Sequence, residues 1–148
     1  MQWVADMTTE FDLKLEKYAE LIVKVGLNIQ SGQRLFVYAS LTAAPLVRLI
    51  AAAAYRFGSP LVSVLWDDEQ LILARFQHAP RDSFEEYETW KINGVIGFLE
   101  HGAAYLQVGS IDPDLLKDQN PQLIGIWQNT RAKNYLPVAK FQGNNTIS

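Results

Sequence analysis

Few residues in this chain are placed to do chemistry. The densest carboxylate group directly after an apolar run is Asp67-Asp68-Glu69. Grouped carboxylates can hold a hard divalent cation through oxygen. Adjacent residues on a helix point in different directions, however, and acidic side chains at a helix start complement its dipole. Capping is therefore the simpler duty for the triplet. Ser40 and Thr42 follow an earlier apolar run and could donate hydrogen bonds to a ligand or cap the next helix. In an open α/β sheet ligands collect at the carboxyl ends of strands. That rule makes Ser40, Thr42, Asp67, Asp68 and Glu69 the candidate cleft residues.

The other chemistries lack their residues. There is no cysteine, which excludes disulfides, thiolate metal sites and cysteine nucleophiles. His78 and His101, the two histidines, sit near predicted helix ends, where a cation is favourable, and neither belongs to an HExxH spacing. The stretch from Tyr38 to Pro45 contains no glycine, and no Gly-Lys-Ser/Thr follows anywhere. A dinucleotide or phosphate loop needs such glycines so that the backbone can approach the phosphates. No serine lies in a Gly-x-Ser-x-Gly elbow. No catalytic residue and no metal ligand is expected in this chain, and no cofactor of its own.

The elements that would position these residues alternate between helix and strand. Helices are expected at Glu10 to Gly26, from Ser40-Leu41-Thr42 to Phe57, at Glu69 to His78, and from the Ser83-x-x-Glu86 capping-box pattern to His101. Asp112-Pro113 and Asn120-Pro121 each pair a capping side chain with proline at the first helical position. They predict a short helix to Lys117 and a longer one to Leu136, stopped by Pro137. Apolar runs at Arg34 to Ala39, Leu61 to Trp66 and Ala104 to Gly109 read as buried parallel strands. The pattern predicts a three-layer α/β domain, a mainly parallel sheet with helices on both faces, Rossmann-like. Its expected extent is 13–141, with 1–12 as a lead-in and the polar 142–148 as a linker.

The 148 residues suit one domain, and 49% apolar content can fill a core. A net charge of −3 with scattered Lys and Arg argues against a nucleic-acid surface. No stretch approaches the roughly twenty apolar residues of a membrane span. The start carries no secretory pattern. With the missing cysteines, this fits a cytoplasmic setting.

Several ordered stretches resemble the M29 metallopeptidases, the thermophilic or aminopeptidase T and S type. The longest runs from Leu15 to Gln33 (Leu-Glu-Lys-Tyr-Ala-Glu-Leu-Ile-Val-Lys-Val-Gly-Leu-Asn-Ile-Gln-Ser-Gly-Gln). Others are Ala44-Pro45-Leu46-Val47-Arg48, Ala54-Tyr55-Arg56-Phe57-Gly58, Val64-Leu65-Trp66-Asp67-Asp68-Glu69, Ala74-Arg75-Phe76, His78-Ala79-Pro80 and Asp112-Pro113-Asp114-Leu115-Leu116. The resemblance implies a parent enzyme that removes N-terminal residues from peptides with two divalent metal ions, zinc or cobalt, and forms a homodimer. It also implies that the metal ligands come from a C-terminal domain beyond this sequence, reached through the 142–148 linker. This chain would then be the non-catalytic N-terminal domain, meeting peptide substrate only within the full-length enzyme. The alternative is a free-standing α/β interaction or dimerisation module without enzymatic activity.

Overall fold

The structure is a computed structural model that describes residues 9–141 and, for the backbone, 146–147. Helix α1 (Glu10–Leu21) starts at a reciprocal cap. Thr9 accepts from the Asp12 backbone N–H at 3.1 Å, and Asp12 accepts from the Thr9 backbone N–H at 2.9 Å. A π-helical turn, Ile22–Gly26, continues it. Strand β1 (Leu35–Ser40) leads through a 3₁₀ turn into α2 (Ala44–Arg56). Strand β2 (Val62–Asp67) runs into α3 (Glu69–His78). Helix α4 (Thr89–Glu100) precedes β3 (Ala104–Val108), and α5 (Pro121–Ala139) precedes a two-residue strand β4 (Thr146–Ile147).

All four strands are parallel, in the order β2-β1-β3-β4. Three of them lie within one residue of the apolar runs expected to form them. β4 falls inside the segment expected to be a linker, whose residues 142–145 and 148 lie outside the described residues. Of the expected lead-in, residues 1–8 lie outside them as well.

The side-chain alternation of β1 explains the layers. Leu35, Val37 and Ala39 join Val23, Leu27, Val47 and Ile50 in a core under α1 and α2. Phe36 and Tyr38 turn to the opposite face, against Val95 and Leu99 of α4 and Tyr135 and Val138 of α5. A third cluster, Phe76, Phe84, Leu123 and Trp127, ties α3 to α5. The three-layer, parallel α/β class is the one read from the sequence.

Four local expectations differ. Ser83-x-x-Glu86 does not start a helix: α4 begins at Thr89. The Arg75 guanidinium takes the Ser83 and Glu86 carbonyls at 2.9 and 3.0 Å, and Ser83 Oγ donates to the Pro80 carbonyl. Those carbonyls serve tertiary contacts, and Phe84 is anchored under two arginines, Arg75 and Arg81, with ring distances of 5.2 and 5.4 Å. The 112–119 stretch forms successive turns closed from Leu115 to Asp112, Lys117 to Asp114 and Gln119 to Leu116, not a helix. Its Asp112 side chain accepts from the Asp114 N–H, an Asx turn that competes with helical bonding. Pro137 does not stop α5, which reaches Ala139. The proline's own bond to the carbonyl four residues back is forfeited, and the turn is carried on to Ala139 with Val138 buried in the core beside Phe36 and Leu99. Finally, neither Ser40 nor Thr42 caps α2. Their hydroxyls bond each other at 2.9 Å, and the 3₁₀ turn Leu41–Ala43 makes the entry.

Candidate functional site

The candidate residues lie at and just beyond the carboxyl ends of β1 and β2, and the register sets Ser40 of β1 beside Asp67 of β2. The three carboxylates of the triplet part company at once. Asp67 ends β2 and accepts a hydrogen bond from the Tyr38 hydroxyl at 2.5 Å. Asp68 caps α3, accepting from the Gln70 N–H at 2.9 Å. Glu69 reaches across to accept from the Asp112 N–H at 2.9 Å. Capping and tethering account for Asp68 and Glu69, and Asp67 alone of the three lines both of the larger depressions of the cleft.

Three adjoining depressions, of about 380, 260 and 240 Å³, run from the strand ends onto the sheet face beside α4 and α5. Tyr38 and Arg131 line all three, and Asp67 lines the first two. The second holds Ser40 and Glu69 along with Gly109 at the end of β3. Gly109 has φ +103°, and a methyl there would lie 2.8 Å from Ser40 Cβ. The β1 and β3 ends thus meet too closely for any side chain at that position. Thr42 lines none of the three, so the structure brings four of the five sequence candidates to the cleft.

Sequence reasoning passed over the residues that dominate the cleft. Arg131 on α5 stacks over Trp127, 4.6 Å from the ring centroid, and its Nη2 stands 3.9 Å from Asp67 Oδ2. That separation permits ion pairing but is too long for a hydrogen bond. Tyr38, Tyr87, Tyr105 and Tyr135 share the third depression. Burial pushes the Tyr38 phenol well above its ordinary range, reinforced by its bond to the Asp67 carboxylate. Burial likewise raises Tyr105, which accepts a hydrogen bond from Tyr135 at 2.9 Å, and raises Tyr87. These phenols are neutral donors at physiological pH. One signal was available: Trp127 and Arg131 are four residues apart on a predicted helix, and such pairs meet on one face.

A metal centre needs several His, Asp or Glu side chains aimed at one point. Among the described residues no group of three His, Cys, Asp or Glu is so arranged. The divergence of Asp67, Asp68 and Glu69 shows why the densest acidic run does not fit one.

A family described as thermophilic metalloprotease (M29) matches residues 11–148. The chain belongs to the M29 family. Among curated M29 relatives it is 47% identical over 123 residues to aminopeptidase 2 of Geobacillus stearothermophilus, covering 83% of this chain and 30% of that protein. It is 36% identical over 141 residues to aminopeptidase T of Thermus thermophilus, covering 93% and 35%. A solved structure of wild-type AmpT from Thermus thermophilus superimposes with a TM-score of 0.84 at 35% identity, covering 88% of this chain and 33% of that one. The chain thus spans about a third of the length of these M29 relatives. No helix among the described residues is long and apolar enough to cross a membrane.

Proposed function

We propose that this chain is the non-catalytic N-terminal domain of a metal-dependent aminopeptidase, a parent enzyme that releases N-terminal residues from peptides. The supporting observation is a mismatch. The chain matches relatives named aminopeptidases over most of its own length but about a third of theirs, and its described residues gather no metal-binding group. The two divalent ions would be held by residues outside the described ones, and metal-activated water there would attack the peptide carbonyl. The present domain would wall the substrate cleft with the strand-end residues Tyr38, Asp67 and Arg131. The cysteine-free sequence supports a cytoplasmic setting as part of this reading.

The test is direct. The purified 148-residue chain, incubated with zinc or cobalt and aminoacyl p-nitroanilides, is expected to release no nitroaniline above the metal blank. Clear, metal-dependent turnover would overturn the proposal.

A second reading, a dimerisation module, is favoured by one observation. Phe11, Tyr18, Leu21 and Val25 are 69%, 54%, 55% and 66% exposed, at spacings that set them along one side of the first helix and its π turn. An apolar stripe of that kind commonly covers a partner surface. Sedimentation velocity over a wide concentration range decides it, and a monomer throughout counts against it.

A further inference from the structure

The strand order has a consequence for ligand binding. From β1 the chain crosses outward to β2, and the following crossover returns past β1 to β3 on the other side. The reversal falls between β1 and β3. In open parallel sheets that switch point is where a crevice forms for a small ligand. The second depression opens at this point, where Gly109 is pressed on Ser40, and it shares Tyr38, Asp67 and Arg131 with the first.

The charges in this basin are mostly spoken for. Arg75 is held by two backbone carbonyls on Nη2 and lies over Phe84, Lys91 pairs with Glu88, and Asp68 caps α3. Two groups remain. Arg131, with its side chain only 33% exposed, makes no hydrogen bond with any described residue. Its guanidinium carbon lies over the Trp127 ring at 4.6 Å, a contact that helps hold the fork in place. Asp67 has one oxygen engaged by Tyr38, and its second oxygen has no partner among the described residues. Arg131 stands too far from the Tyr38-bonded oxygen of Asp67 to hydrogen-bond it, so the loose pair fits a ligand that carries a negative and a positive group on one carbon. Around them stand Tyr38, Tyr87, Trp66 and Ile72, which offer apolar and aromatic surface to a side chain.

We infer that the basin between Asp67 and Arg131 binds a free α-amino acid with an apolar or aromatic side chain. Its carboxylate would lie on the Arg131 fork, its ammonium on Asp67, and its side chain against the aromatic wall. Bidentate guanidinium–carboxylate pairing supplies most of the orientation. The geometry does not depend on the aminopeptidase reading. That reading contributes only a source for the ligand, since a free amino acid is what an aminopeptidase releases, and the basin would be a site for retained or regulatory product.

The probe is L-phenylalanine, titrated into the 148-residue chain by two-dimensional NMR, following the Trp127 indole and Arg131 Nε signals. A ligand of this size should saturate with a dissociation constant on the order of 1 mM. N-acetyl-L-phenylalanine lacks the ammonium and L-phenylalaninamide lacks the carboxylate. Each is expected to bind about tenfold more weakly or worse. Arg131→Gln should abolish saturation, Arg131→Lys should restore part of it, and Asp67→Asn should weaken L-phenylalanine without weakening the N-acetyl compound. Unchanged backbone spectra establish that each variant is folded. Absence of saturable L-phenylalanine binding, equal binding of the amide, or an undiminished affinity in folded Arg131→Gln would each overturn the inference. Binding is read on a chain that need not turn anything over. Its failure therefore leaves the aminopeptidase proposal standing, and nitroaniline release by the chain alone would sink that proposal without touching this one.

Discussion

At the scale of single residues, the buried phenols make a prediction about alkaline pH. Tyr105 is 1% exposed, and burial raises it above its ordinary pKa of 10.0. Tyr38 is raised for the same reason and by its bond to Asp67. A phenol whose folded pKa exceeds its unfolded one stays protonated in the native state while the unfolded chain loses its proton. Stability from this source is fully present below pH 10 and is lost as the pH rises toward the folded value. The loss for one such group approaches about 1.4 kcal/mol per pH unit. Urea unfolding at intervals from about pH 8 to about pH 11 should show a flat region and then a steep fall. Tyr105→Phe should lower stability at neutral pH by about 1 kcal/mol, because Tyr135 loses its acceptor. The same variant should flatten the alkaline fall. A fall as steep as that of the natural protein would show that other groups cause it. This pairing was not legible in the sequence, because Tyr105 and Tyr135 are 30 residues apart and only the packing of α5 on β3 joins them.

At the scale of elements, legibility follows how local the determining forces are. The strands were readable to within a residue because apolar runs bounded by Gly, Pro and acidic residues need no distant partner to announce themselves. Asp68 was readable as a cap because its acceptor role is satisfied two residues away, at Gln70. The start of α4 was not readable. A Ser-x-x-Glu pattern is a local signal, but the Ser83 hydroxyl donates to the Pro80 carbonyl instead, and Arg75, from another helix, holds the Ser83 and Glu86 carbonyls in a turn. Ser40 illustrates the same limit, since its environment is set by Gly109 from a neighbouring strand. That contact supports a prediction at this scale. Gly109→Ala introduces both a strained φ of +103° and a methyl 2.8 Å from Ser40 Cβ. The two effects together should cost about 2–4 kcal/mol in denaturant unfolding. Ala at Gly102 has the positive φ, +79°, without any neighbour within 4 Å, and should cost only about 1 kcal/mol. Equal costs at the two positions would mean that strand approach contributes nothing beyond backbone strain.

At the scale of the whole molecule, three clusters of buried side chains hold the layers together, and Trp127 is where structure and the proposed site meet. Its ring lies edge-on to Phe76 at 5.4 Å, within the cluster that fastens α3 and the Phe84 turn to α5. Its outer face carries Arg131. The core under α1 and α2 shares no residue with this cluster. Trp127→Ala removes a large, 8% exposed aromatic and leaves a void, at an expected cost of about 3–5 kcal/mol. Trp127→Phe keeps a ring for both Phe76 and the guanidinium, and should cost about 1–2 kcal/mol. If the domain unfolds as one cooperative unit, fluorescence and circular dichroism will report one shared midpoint that drops in both variants. Separate midpoints in Trp127→Ala, with the strand signal outlasting the helical one, would instead show that the α3–α5 face opens independently of the core under α1 and α2. The amino-acid site adds a second readout to the same pair of proteins. Trp127→Phe should retain L-phenylalanine binding within a few-fold, because the guanidinium still has a ring to lie on. Trp127→Ala should lose binding even under conditions where it is fully folded, because an unsupported Arg131 must be ordered anew by each ligand. Full binding by folded Trp127→Ala would show that the stacking geometry is incidental to recognition.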